Sequence, residues 1–203
     1  MDLKLAELAT LERYKLLIGL VIPRPIAWIS TRSANGVANC APFSFFNVFS
    51  EDPPLCVIGI NPRASDGAMK HSLKNIRRTG EFVVNLVDEA TANAMHISSR
   101  EFAEDVSEFE QTGLSTAPAV LVQHPRIAEA AASFECRLYQ LLEISGTRQL
   151  VLGEMLLVHA RDGVIDPHSK RISEEHYRPI GRLFGERYCT TRQRFNLPGD
   201  LPA

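Results

Sequence analysis

Residues 133–145, SFECRLYQLLEIS, and the following 149–160, QLVLGEMLLVHA, decide how the chain is read. In the first stretch Phe134, Cys136, Leu138, Leu142 and Ile144 alternate with Glu135, Arg137, Tyr139 and Glu143, and only Gln140 interrupts the apolar series. A period of two marks a β-strand in a sheet with one wet face. Ser145-Gly146-Thr147 supplies a turn, so the two stretches are expected to pair as an antiparallel hairpin. Beyond them Asp162-Gly163 marks another turn, leading to the short Val164-Ile165.

Working back toward the N-terminus, more short strands come into view. In 20–31, LVIPRPIAWIST, two prolines hold the chain extended and Ile26 to Thr31 reads as a strand. Ser33-Ala34-Asn35-Gly36 is a turn, with Asn-Gly its strongest part. The stretch 37–49, VANCAPFSFFNVF, runs to a break at Asp52-Pro53-Pro54, and Leu55 to Ile60 is a continuous apolar run of the kind a buried strand shows. A polar loop over 61–68 leads to a helix. Ser72 is expected to be its N-cap, Leu73 and Ile76 to face the core, Arg77 and Arg78 to occupy the last turn, and Gly80 to stop it. Phe82 to Val87 is the next strand, and a second helix is expected within 89–98, continuing in pieces toward 110. Short strands, tight turns and few helices predict a mainly β barrel with helical decoration, and the missing β-α-β alternation counts against a doubly wound sheet.

The totals narrow the function classes. A chain of 203 residues with no repeat or linker fits one domain spanning 1–203. Its net charge of -2 gives no electrostatic reason to expect nucleic acid or an anionic membrane as partner, and only the tail, with Arg178, Arg182, Arg187, Arg192 and Arg194, leans basic. No apolar run reaches the roughly 20 residues of a membrane helix, and Met1 to Glu12 does not read as a signal peptide. Cys40, Cys56, Cys136 and Cys189 stand apart, without zinc or disulfide spacing, and are expected to be buried free thiols in a cytoplasmic protein.

Familiar catalytic signatures are missing. There is no G-x-G-x-x-G, no P-loop, no G-x-S-x-G elbow and no H-E-x-x-H, and the six histidines lack metal-ligand spacing. No side-chain catalytic residue and no metal site are therefore expected. An enzyme of this kind draws its difficult chemistry from a cofactor, although elimination alone does not name one.

Three stretches in order point to a family. They are 23–31, PRPIAWIST, with Gly36, Asn39, 41–46 (APFSFF) and Asp52-Pro53-Pro54; then Lys70-His71-Ser72 with Asn75-Ile76 and 80–85 (GEFVVN); then 133–138 (SFECRL), 153–159 (GEMLLVH) and 179–188 (PIGRLFGERY). This series, from about residue 15 to 195, resembles the flavin reductase-like, FMN-binding split-barrel family, which includes flavoredoxins and the reductase components of two-component monooxygenases. The resemblance implies a Greek-key split β-barrel that forms a homodimer and holds FMN near the subunit boundary.

The residues are compatible with such a ligand. A phosphate dianion needs hydroxyls, backbone N–H groups and a cation. Ser30 and Thr31 offer hydroxyls at a strand end, Lys70 and Arg63 offer charge, and Ser72 stands at a helix start. Pro42 is expected to take the backbone out of regular pairing, and the resemblance lays Asn39, Ala41, Phe43 and Ser44 along the ring and ribityl chain, with Trp28 nearby. Trp28 and the phenylalanines have a core reading beside the ligand one, Lys70 a solvated one, and Ser30 and Thr31 the plain reading of a strand end. His159 reads as a structural histidine, and Arg182 either reaches the phosphate or ties down the tail. The sequence departs from the family at His71, where aspartate is usual, and at Ser72, where threonine is usual; serine keeps the hydroxyl, whereas His71 changes the local charge. The function implied is an oxidoreductase in which NADH or NADPH reduces flavin and electrons pass on to a flavin, protein or small acceptor. A flavin-binding electron carrier and a flavin-free split barrel are the alternatives.

Overall fold

The alternations and turns produce these elements in chain order: α1 (Thr10–Leu20), β1 (Ala27–Arg32), β2 (Ala38–Phe43), β3 (Phe46–Glu51), β4 (Pro54–Ile60), α2 (His71–Thr79), β5 (Glu81–Leu86), α3 (Ala92–Ile97), α4 (Glu108–Thr112), β6 (Thr116–Ala117), β7 (Arg126–Ile127), β8 (Ala132–Ser145), β9 (Arg148–Ala160), β10 (Ile180–Arg182) and β11 (Tyr188–Thr190). The structure is a computed structural model that describes residues 1–146, 148–195 and 197, so Thr147 of the expected turn and the end of the C-terminal tail lie outside the described residues. The fold is mainly β with helices, as expected. No helix among the described residues is long and apolar enough to cross a membrane.

The principal sheet is antiparallel and seven-stranded, in the order β2-β1-β5-β8-β9-β4-β3. Its two edge strands are neighbours in sequence: β2 ends at Phe43, β3 starts at Phe46, and only Ser44 and Phe45 join them. So short a link forces the sheet to curl until its edges meet. The Gly59 N–H donates to the Phe45 carbonyl at 2.7 Å and pins the junction to β4. The curled interior holds Ile29, Phe43, Ile58, Phe82, Val84 and Val151, and α2 closes it with Leu73 and Ile76. On the other face of β1 and β2, Trp28 and Cys40 pack with Met95 of α3, Phe109 of α4 and Ile127. Each large apolar side chain so buried contributes about 1.5–3 kcal/mol.

Several local expectations need correction. The N-cap of α2 is Lys70, in extended conformation and without a capping side chain, and Ser72 lies inside the first turn. Gly80 does end that helix, with φ +69°, and its N–H reaches the Ile76 carbonyl. Register shifts along the β8–β9 ladder, one of them between Leu138 and Gln140, break the simple alternation. Beyond it Leu141 turns inward while Leu142 and Ile144 are exposed. Glu135, expected on the wet face, is fully buried: it accepts the backbone N–H groups of Val120, Leu121 and Val122, and His159 Nε2 lies 2.5 Å from it. These partners hold its carboxyl below the usual range against the opposing cost of burial. Of the cysteines, Cys189 is only half-buried.

Gly153 leaves no room for a side chain in the barrel interior. A Cβ there would sit 2.4 Å from Phe82 Cζ and 3.3 Å from Cys56 Sγ. Gly153→Ala is expected to cost about 1–3 kcal/mol through overpacking, read as a lower midpoint in urea denaturation, and an unchanged midpoint would mean the Phe82 ring moves freely.

Candidate functional site

Strand β2 builds the site because it is an edge. In an antiparallel ladder alternate residues turn their backbone groups outward, here Ala38, Cys40 and Pro42, since β1 pairs with the other face of the ladder. Helix α4 covers the first part of this edge. The Ser107 hydroxyl donates to the Ala38 carbonyl at 2.7 Å, and Glu108 Oε2 accepts the Cys40 N–H at 3.2 Å. Pro42 remains in register opposite Trp28, contrary to the expectation that it leaves the ladder. It is tolerated because the position where it lacks an N–H faces outward. From Pro42 to Ser44 the edge opens onto a cleft.

One end of this cleft is lined by Asn39, Ala41, Pro42, Phe43, Arg63, Lys70, His71 and Ser72, together with Ser98 to Phe102 and Glu108. Adjoining cavities that share Pro42 and Ser44 continue it beneath α1. The structure therefore brings together the two stretches around Asn39–Ser44 and Arg63–Ser72. Trp28, Ser30 and Thr31 line none of these cavities and are fully buried. The Trp28 indole donates to Ser98 Oγ at 2.9 Å. Ser30 donates to the Pro125 carbonyl at 2.6 Å and accepts from Asn85. Thr31 Oγ1 accepts from Asn75 Nδ2 at 3.0 Å.

The charge pattern is uneven. Arg63 Nη1 lies 3.0 Å from His71 Nε2. Burial first, and then the Arg63 charge, hold the His71 pKa below its ordinary value, which keeps the ring a neutral acceptor for the guanidinium. Asp66 Oδ1 lies 3.5 Å from Arg63 Nε. Glu101 is a second counter-charge, 3.9 Å from both Arg63 Nε and Lys70 Nζ. Its carboxylate is itself occupied by Ser65 Oγ and the Ala64 N–H. Arg63 Nε is buried yet has no hydrogen-bond partner among the described residues. An unsatisfied guanidinium donor and Lys70, beside a helix start without a capping side chain, suit an anionic group that would compete with Asp66 and Glu101 for them. The residues present thus fit the phosphate of a flavin nucleotide.

Sequence reading passed over Glu108, which is 4% exposed. Desolvation pushes its carboxyl up to about 7 despite the Cys40 N–H bond. Beside it, the amide orientation of Asn39 that satisfies both its atoms sets Nδ2 3.2 Å from Glu108 Oε1 and lets Oδ1 accept from Ser72 Oγ at 3.0 Å. No sequence signal marks this buried chain, because the burial of Glu108 comes from packing between α4 and β2. The reading also passed over Arg24 and Tyr14, which line the cleft under α1.

A carboxyl whose folded pKa lies above its unfolded value stabilises the fold most at low pH, and that contribution is lost as pH rises through the folded value. Thermal melts between pH 5 and 8 are therefore expected to show wild-type stability falling by on the order of 3 kcal/mol relative to Glu108→Gln. Parallel curves for the two proteins would contradict a perturbed Glu108.

Comparison with known proteins follows the same lines. Residues 19–181 match the family described as Flavin reductase like domain. An uncharacterized protein of Aquifex aeolicus is 45% identical over 175 residues, covering 86% of this chain and 88% of the relative. Among solved structures, the 2-nitrobenzoate 2-nitroreductase of Pseudomonas fluorescens superposes with a TM-score of 0.90 at 36% identity, covering 100% of this chain and 99% of the other. Nitrilotriacetate monooxygenase component B of Bacillus cereus gives 0.91 at 30% identity, covering 97% and 98%.

Proposed function

The chain belongs to the flavin reductase like domain family, and from that premise we propose that it is an FMN-binding oxidoreductase that takes hydride from NADH or NADPH and passes electrons to a flavin, protein or small-molecule acceptor. The observation that carries this reading is the cleft itself, which joins Arg63, Lys70 and the neutral His71 at the start of α2 to the open edge of β2. Arg63 and Lys70 bind the phosphate, and Ser72 and the first-turn N–H groups of α2 complete its cradle. Asn39, Ala41, Phe43 and Ser44 border the ribityl chain and ring, and the outward backbone near Pro42 meets the ring edge. Trp28, Ser30 and Thr31 support this wall from behind.

When bound, the flavin supplies hydride acceptance and electron release, so no nucleophile or metal is asked of the protein. The protein's part is to hold the ring, through a β2 edge kept straight by Ser107 and Glu108, and to cover it with α1. A homodimer belongs to the same reading. Val48 and Phe49 on edge strand β3 are 59% and 66% exposed, and Leu17 and Leu20 on α1 are also bare, as surfaces awaiting a second copy are. A soluble cytoplasmic setting goes with it.

The test is anaerobic titration of the FMN-loaded protein with NADH and then NADPH. Loss of the oxidised flavin absorbance supports the reductase. Retained flavin without bleaching points to an electron carrier, and failure to retain or reduce FMN in excess overturns the reading. Lys70→Ala and Arg63→Ala are each expected to weaken FMN binding about tenfold or more while leaving riboflavin, which lacks the phosphate, nearly unaffected; charge-assisted hydrogen bonds contribute about 1.5–3 kcal/mol.

A further inference from the structure

Under α1 the cleft opens into a cavity of about 350 Å³ whose polar walls are cationic. Lys15, Arg24 and Arg182 line it, Tyr14, Phe184 and Tyr188 supply aromatic surface, and no aspartate or glutamate contributes to it. None of the three cations forms an ion pair with a carboxylate among the described residues, although Arg24 is only 6% exposed.

The two arginines differ in how far they are committed. Arg24 is a clamp: Nη1 donates to the carbonyls of Ile18 at 2.6 Å and Val21 at 3.2 Å, Nη2 to that of Leu183 at 3.1 Å, and Nε to Ser44 Oγ at 3.4 Å. These acceptors are neutral, so its charge remains. Desolvation and, further, the nearby Arg182 charge hold its pKa below the ordinary value. Arg182 lies over the Tyr188 ring, 4.6 Å from its centroid, and its Nη1 contacts the Tyr188 hydroxyl. Its Nε and Nη2 have no partner among the described residues, which leaves one edge of the planar fork for a ligand.

Two mutually repelling guanidinium groups without a carboxylate between them make a cavity poised for an anion. A free guanidinium edge matches a carboxylate with two parallel hydrogen bonds better than it matches a point charge. The aromatic walls favour a flat ring. The volume is at the low end of the roughly 300–1,000 Å³ typical of small-molecule sites, which suits one ring with substituents and not a dinucleotide. We propose that this cavity binds a small aromatic carboxylate, with the carboxylate on Arg182, Lys15 at the rim, and the ring against Tyr14 and Phe184. The ligand then lies beside Pro42 and Ser44. That this sets it next to the flavin rests on the function proposed above; the binding site itself does not.

Calorimetric titration of the full chain with benzoate, benzamide and cyclohexanecarboxylate tests the site, with FMN retention measured separately on the same preparation. Benzoate is expected to bind at least tenfold more tightly than either analogue, and Arg182→Gln to weaken benzoate about tenfold. The comparison of ligands on the unmodified chain does not depend on how well the variant folds. Equal binding of benzoate and benzamide, or no benzoate binding by protein that retains FMN, overturns the proposal and leaves the flavin reading in place. Equal binding of cyclohexanecarboxylate overturns the aromatic part of it. Selective benzoate binding by protein that retains no FMN supports the site and counts against the flavin reading alone.

Discussion

The two-residue link between β2 and β3 is the constraint on which the rest of the structure depends. Ser44 and Phe45 carry the chain from one edge of a seven-stranded sheet to the other, so the sheet must curl around its apolar face. The curl produces the interior that α2 plugs with Leu73 and Ile76. It also sets an unpaired strand edge at the mouth of the barrel, where α1, the start of α2 and the 98–108 segment converge. An open edge is ordinarily a liability. Here Pro42 removes one donor, Ser107 and Glu108 occupy the groups at Ala38 and Cys40, and only the stretch toward Ser44 faces the cleft.

Charge is distributed unevenly along that cleft. At the α2 end Arg63 and Lys70 face Asp66 and Glu101 at 3.5–3.9 Å, and His71 stays neutral beside Arg63. At the α1 end no acid lines the cavity beside Arg24 and Arg182 among the described residues. Glu108, in between, resists ionisation because it is buried. The uncompensated positive charge of the cleft therefore lies at its α1 end, while the α2 end offers donors that an anion would share with Asp66 and Glu101. His71, standing where aspartate is usual in the family, spares Arg63 a third acid beside Asp66 and Glu101.

Much of the fold was legible in the sequence. The period-two pattern of 133–145, the Asn-Gly turn before β2 and Gly80 at a helix end are local signals, and local forces determine them. What escaped was tertiary. Helix α1 has apolar residues on every side, of which only Ile18 is buried, and its N-cap is Ala9, which has no side-chain oxygen; only Glu12, accepting the Ala9 N–H at 2.8 Å, marks its start, and periodicity does not. The burial of Glu135 follows from a loop, 120–122, folding its N–H groups onto the carboxylate. Of the proposed site, resemblance singled out Asn39–Ser44 and Lys70–Ser72, and the loop position of Arg63 offered a second cation; the fold brings these stretches to one cleft. The directions of Trp28, Ser30 and Thr31 were not, because alternation yields two faces of β1 and packing covers both.

The central claim is that one cleft along β2 holds a flavin nucleotide with its phosphate at the α2 end. A crystal structure of the chain grown with FMN tests this directly. The account predicts phosphate oxygens within hydrogen-bond distance of Arg63, Lys70 or the first turn of α2, and the ring edge against the backbone between Pro42 and Ser44. Flavin bound elsewhere, bound with its phosphate under α1, or absent from a saturated crystal would contradict it.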